Sequence, residues 1–109
     1  MSDKIQTTIK EVVENNDVVL FMKGTKETPQ CGFSNAIVNT LSFMNVDFKD
    51  VNVLEDDNLR EGIKTFTDWP TIPQLYVKGE FVGGCDIIQD MHKSGELSEV
   101  LKSKNISHS

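Results

Sequence analysis

Two cysteines, Cys31 and Cys85, are the residues of this 109-residue chain with the most chemistry to offer. Cys31 follows the polar stretch 23–30 and stands just before an apolar pattern of helical spacing: Phe33, Ala36, Ile37, Thr40, Leu41 and Met44. That predicts a helix beginning near Cys31. The first N–H groups of a helix have no partner inside it, and their field favours a thiolate over a thiol. A helix end contributes about 0.3–1 kcal/mol at an exposed site, roughly 0.2–0.7 of a unit from an ordinary thiol pKa of ~8.5. A strongly acidic thiol therefore needs a further cation, and Lys23 is the candidate. Ser34 stands three residues on, where a dithiol site would place its second cysteine. A hydroxyl cannot resolve a mixed disulfide, so Cys31 is left to attack, to accept a thiol or to bind a metal. Ser34 is also compatible with a plain helix-start residue that bonds locally. The alternative for Cys31, an inert buried cysteine, is disfavoured by its polar neighbours and by Gly32.

The rest of the chain has to position that cysteine. Ile5, Ile9, Val12 and Val13 predict an opening amphipathic helix that Asn15-Asn16-Asp17 stops. Val18–Met22 is apolar throughout, as a strand buried on both faces would be. Phe48, Val51 and Val53 suggest a second strand, and Leu59, Ile63 and Phe66 a third helix. Gln74-Leu75-Tyr76-Val77 and Glu80-Phe81-Val82 flank Lys78-Gly79, a hairpin signal. Gly83-Gly84 ends that hairpin. Ile87, Ile88 and Met91, then Leu97, Val100 and Leu101, form closing helices. The order α-βαβ-α-ββ-α predicts an α/β fold with a mixed four-stranded sheet and helices on both faces, the βαβ pair being parallel and the hairpin antiparallel. Ligands of open α/β sheets sit beyond the carboxyl ends of central strands. Here that means Lys23, the following loop and Cys31. The chain reads as one domain, 1–104, with a flexible polar tail at 105–109 that begins to turn polar from Lys102.

Composition narrows the function. Eleven Lys and Arg against 17 Asp and Glu give a net charge of −6, which argues against a nucleic-acid groove or a polybasic membrane anchor. No apolar run approaches the ~20 residues that span a bilayer. Two cysteines supply neither a disulfide scaffold nor a four-thiolate metal site from one chain. Asp3, Glu11, Glu14 and Asp17 fit neither a secretory signal nor an Arg-rich transit peptide, so the expected location is the cytoplasm.

Cys31-Gly32-Phe33-Ser34 resembles the CGFS signature of the monothiol glutaredoxins, of the single-domain bacterial or mitochondrial type. Phe21-Met22-Lys23-Gly24-Thr25 precedes it. Trp69-Pro70-Thr71-Ile72-Pro73-Gln74 and Gly83-Gly84-Cys85-Asp86 follow in the family's order and spacing. The resemblance spans nearly the whole chain apart from the tail. It implies a thioredoxin-like fold and glutathione lying extended across the site. Lys23 and Arg60 would meet the glycyl carboxylate, with Lys64, one turn from Arg60, as the other candidate. The Ile72 backbone, before a cis Pro73, would pair with the cysteinyl part. The N–H groups of Cys85 and Asp86 would hold the γ-glutamyl carboxylate, and Asp86 its amino group. Cys85 itself reads either as a core cysteine or as a second redox position for Cys31. Trp69 is expected to pack a loop, and Phe33 either to pack the helix or to shield the site. His92 and His108 receive no role.

The same resemblance implies a completion. Cys31 from each of two chains and the thiols of two glutathiones make the four sulfur ligands of a 2Fe–2S cluster bridging a homodimer. The leading expectation is a carrier that receives clusters from an iron–sulfur scaffold and delivers them to apo-proteins, with a BolA-like protein as the partner typical of the family. The alternative is a glutathione-dependent monothiol reductase of disulfides or mixed disulfides, acting through Cys31. An interaction module without chemistry is the third. Lys23, Lys26, Arg60 and Lys64 could form a basic patch around the site for an acidic partner.

Overall fold

The computed structural model describes residues 2–108. Met1 and Ser109, where the expected domain begins and the expected tail ends, lie outside the described residues. Helix α1 is Ser2–Asn15, and β1 is Val18–Met22. Next come α2 (Gly32–Phe43), β2 (Lys49–Asn52), a 3-10 turn at Val53–Glu55 and α3 (Asp57–Thr67). The chain closes with β3 (Gln74–Val77), β4 (Glu80–Gly83), α4 (Cys85–Ser94) and α5 (Glu96–Ser103). The sheet order is β2-β1-β3-β4. β1 pairs in parallel with β2 and antiparallel with β3, and β3 pairs antiparallel with β4. This is the mixed sheet that the element order predicts.

Strand β1 shows why a continuous apolar run was needed. Val18, Leu20 and Met22 enter one core with α2, α4 and α5, among them Ile37, Leu41, Ile88 and Leu97. Val19 and Phe21 face the other way and join Ile9, Val13, Ile63 and Tyr76 under α1 and α3. Each face of the strand has its own cover of helix, so no position tolerates a polar side chain. Gly62 lets α3 close on α1, because a Cβ there would collide with the Ile5 side chain. The hairpin turns through Lys78 and Gly79 with φ of 53° and 82°, the left-handed pair that a two-residue turn between twisted strands requires.

Two expectations shift. Val53 does not extend β2. Asn52 accepts the Leu54 N–H on its side-chain oxygen at 3.0 Å and bends the chain into the 3-10 turn, which buries Val53. The C-terminal segment expected as a polar tail folds back instead. Helix α5 runs through Lys102 to Ser103. Beyond it the Ile106 N–H donates to Leu101 O at 2.8 Å, and the Ile106 side chain joins the α2/α4/α5 core. One apolar residue in a polar stretch leaves no periodicity, yet it is enough to tie the segment down. Among the described residues, no helix is long and apolar enough to cross a membrane.

Candidate functional site

β1 ends at Met22, and the chain enters the loop 23–30. The loop closes on itself: Gln30 N–H donates to Lys23 O at 2.9 Å, and Gly24 bridges Pro29. Gly24 has φ 91°, and a Cβ there would lie 2.6 Å from Thr28 O and Gln30 N, so only glycine serves. The Asn52 side chain accepts the Gly24 N–H at 2.9 Å and pins the loop to β2. Lys26 is drawn to that edge as well. Its ammonium donates to Phe48 O at 2.8 Å and lies 4.8 Å from the centre of the Phe48 ring.

The loop delivers Cys31 to the N-cap of α2, with extended backbone (φ −148°, ψ 136°) and no capping hydrogen bond from its side chain. The thiol is half-buried. It is held below the ordinary range, first by the Ser34 backbone N–H, then by the Phe33 N–H, the Lys23 charge and the Ser34 hydroxyl, against an opposing push from burial. The helix-start field and the second cation expected from the sequence are both present, with the amides contributing more than the lysine. Ser34 is fully buried, and its hydroxyl accepts the Lys23 N–H at 3.1 Å. It ties the end of β1 to the first turn of α2.

A cleft of about 370 Å³ opens at the start of α2, where Lys23 and Phe33 line it and Cys31, between them in the chain, does not. Lys23 and Phe33 form one side, residues 69–73 a second and residues 84–87 a third. Four of the expected glutathione-site residues, Lys23, Ile72, Cys85 and Asp86, thus line one cleft. The Ile72–Pro73 peptide is cis. Arg60 does not line the cleft. It lies on α3, with its Nε buried and without a hydrogen-bond partner among the described residues. Lys64 pairs with Glu61 at 3.4 Å, one turn back on the same helix. Of the four cations Lys23, Lys26, Arg60 and Lys64, only Lys23 lines the cleft, and Lys26 is bonded to Phe48 O.

Cys85 is the first residue of α4, half-buried, and its thiol is pushed up by burial, by Asp86 and by the charge at Cys31. Asp86 is exposed in the first turn of α4, where a carboxylate suits the helix dipole. Gly84 caps that helix at φ −96°, so freedom of φ is not its reason. A Cβ would come within 3.3 Å of both Pro73 O and Trp69 Nε1, and glycine is what lets α4 approach the opposite wall. Trp69 packs on Phe81, ring centres 5.6 Å apart, and also lines the cleft. Phe33 is 63% exposed at the rim, which matches a shield more than a core residue. His92 meets the Phe43 ring and His108 the Ser98 hydroxyl, both outside the cleft lining.

Sequence reasoning missed three structural contributors: the Ser34 tie, the Asn52 clasp and Gln74. Gln74 is fully buried, and its carboxamide bonds Trp69 O, Thr71 O and the Tyr76 hydroxyl. The signal available for it was a polar residue opening the otherwise apolar strand Gln74–Val77.

The Glutaredoxin family model matches residues 18–82. The probable monothiol glutaredoxin 2 of Rickettsia typhi is 52% identical over 104 residues, 95% of this chain and 94% of its own. The solution structure of reduced poplar apo GrxS14 matches with a TM-score of 0.82 at 52% identity, over 92% of each chain. A buckwheat glutaredoxin–glutathione complex matches with a TM-score of 0.84 over 95% of this chain and 93% of that one, and at 19% identity its likeness carries the fold alone. The fold is thioredoxin-like, and the chain belongs to the glutaredoxin family, among its monothiol members.

Proposed function

We propose that the chain binds glutathione in the cleft and, as a pair of copies, carries a 2Fe–2S cluster that it receives from an assembly scaffold and passes to apo-proteins in the cytoplasm, with a BolA-like protein as a further partner. The observation that carries this reading is the Cys31 thiol, held toward its thiolate form, with buried Ser34 where a resolving cysteine of the same helix would stand. Among the described residues, no three His, Cys, Asp or Glu side chains gather where one chain alone could hold a metal ion. A lone thiolate fits a shared site: Cys31 of each copy and two glutathione thiols complete the four sulfur ligands. The cluster is cargo here. Half its ligands are not covalently part of either chain, so it can leave by ligand exchange without unfolding the carrier.

The cleft suits the tripeptide. Lys23 would offer a charge to one carboxylate, and the first N–H groups of α4, whose residues Cys85, Asp86 and Ile87 line the cleft, would hold the other. Asp86, which lines the cleft, would meet an ammonium group beside that carboxylate. The buckwheat protein shows this fold in complex with glutathione.

The test is anaerobic reconstitution with iron, sulfide and glutathione, read by visible absorption and sedimentation together. Wild type should become a coloured dimer that reverts to a colourless monomer when glutathione is removed. Cys31→Ser should stay colourless. A folded wild-type protein that remains a colourless monomer, yet rapidly reduces a glutathionylated substrate with added glutathione and no metal, would instead favour the monothiol reductase, which uses the same thiolate.

A further inference from the structure

We propose that Gln74 is a positioning residue for the cleft: its carboxamide sets where the wall of residues 69–73 stands, and through that wall how tightly glutathione is held. This rests on the glutathione reading above and adds a residue to it. Gln74 opens β3 and is fully buried. A buried amide without partners is unfavourable, so where it finds its bonds is informative. Its Nε2 donates to two alternate carbonyls of the loop, Trp69 O at 3.2 Å and Thr71 O at 3.1 Å. Its Oε1 is anchored in the core. The Tyr76 hydroxyl donates to it at 3.0 Å. The Thr67 hydroxyl, 3.1 Å away, shares its single proton between this oxygen and Ile63 O.

The wall's other holds are apolar and carry no hydrogen bond: Ile72 is buried in the α1/α3 core and Trp69 packs on Phe81. Pro70 and Pro73 have no N–H to give. Among the described residues, the loop-type backbone bonds of this stretch stop at the Trp69 N–H, which donates to Lys64 O at 3.2 Å. Trp69, Thr71 and Ile72 line the cleft, and Gln74 does not. Gln74 therefore acts through the loop and touches no ligand itself.

The test uses the intact chain and three substitutions. Gln74→Met keeps the volume and removes both donors. Gln74→Glu retains one donor when protonated and none when ionised. Thr67→Val removes a contact on the core side of the amide and leaves both loop bonds. Acrylamide quenching of Trp69, the one tryptophan of the chain, reports the wall without any ligand. Calorimetric titration with reduced glutathione reports binding. Gln74→Met should open Trp69 to the quencher and weaken glutathione about tenfold, the scale of losing one to two net hydrogen bonds. Relative to wild type at each pH, Gln74→Glu should bind well in acid and fall toward Gln74→Met as its carboxyl ionises. Thr67→Val should stay within about twofold, far below the loss at Gln74. The proposal is overturned by wild-type quenching in both Gln74 variants at every pH, by a wall that moves while glutathione affinity stays the same, or by Thr67→Val matching Gln74→Met. Should wild type take up no glutathione, the glutathione reading fails, and quenching alone decides whether Gln74 sets the wall.

Discussion

Cys31 caps α2 and Cys85 opens α4, two helix starts that border the same cleft, and their thiols are driven in opposite directions. At Cys31 the cap position leaves the Ser34 and Phe33 amides facing the sulfur, and Lys23 adds a positive charge. At Cys85 burial dominates, and a carboxylate, Asp86, follows at once. The influence of Cys31 on Cys85 runs the same way: a thiolate at the first discourages one at the second. The lesson is that a helix N-terminus does not by itself acidify a thiol. Whether the amides are aimed at the sulfur, and the sign of the next charge, decide which of two similar cysteines is shifted toward its thiolate.

The largest expected effect follows from that asymmetry. Cys31→Ser should abolish cluster-dependent colour and dimerisation, whereas Cys85→Ser should retain both. Loading that depends equally on the two residues would erase the distinction. Next in size is Ser34→Ala. The Lys23 N–H would lose its buried acceptor, and stability in a denaturant titration should drop by about 1–3 kcal/mol. α4 has no counterpart to this tie, since its third residue, where α2 has Ser34, is Ile87.

Smaller changes should come from the flanking charges. Asp86→Asn should let the Cys85 thiol fall toward its ordinary value, and Lys23→Gln should let the Cys31 thiol rise toward its own. Both are readable as shifts in the pH dependence of alkylation at the affected cysteine. The smallest is a linkage effect. Cys31 is depressed in the folded state, so its contribution is present above the unfolded thiol value of ~8.5 and is lost as pH falls through the folded one. Cys85 is raised, so it withdraws stability as pH climbs above ~8.5. Melts of Cys85→Ser should accordingly lose less stability than wild type between neutral and alkaline pH, and melts of Cys31→Ser should lose more.

Much of this was legible before any coordinates. β1, α2 and the hairpin announce themselves because their apolar spacing and turn residues are local properties. The start of α2 at Cys31 follows from the same periodicity. The groups that hold the site are less visible, because their partners are remote in sequence. Nothing local says that Ser34 bonds Lys23, that Asn52 clasps Gly24 across 28 residues, or that Lys26 is spent on Phe48 rather than on the cleft. Arg60 illustrates the converse: helical spacing placed it on α3, but which way that helix turns its face is settled by the packing of Ile63 and Gly62 against α1. Ile106 escaped notice because one apolar residue makes no pattern, even though one is enough to fill a gap in a core.

The central claim is that one thiol of the pair is activated, and it is best tested on both at once. Brief alkylation of the wild-type protein with iodoacetamide across a pH series, quenched and quantified by mass spectrometry of the peptides containing Cys31 and Cys85, gives two titration curves from the same sample. The account predicts a Cys31 curve whose midpoint lies below that of an unstructured thiol, and a Cys85 curve displaced above it. Coincident curves, or Cys85 reacting at the lower pH, would contradict it.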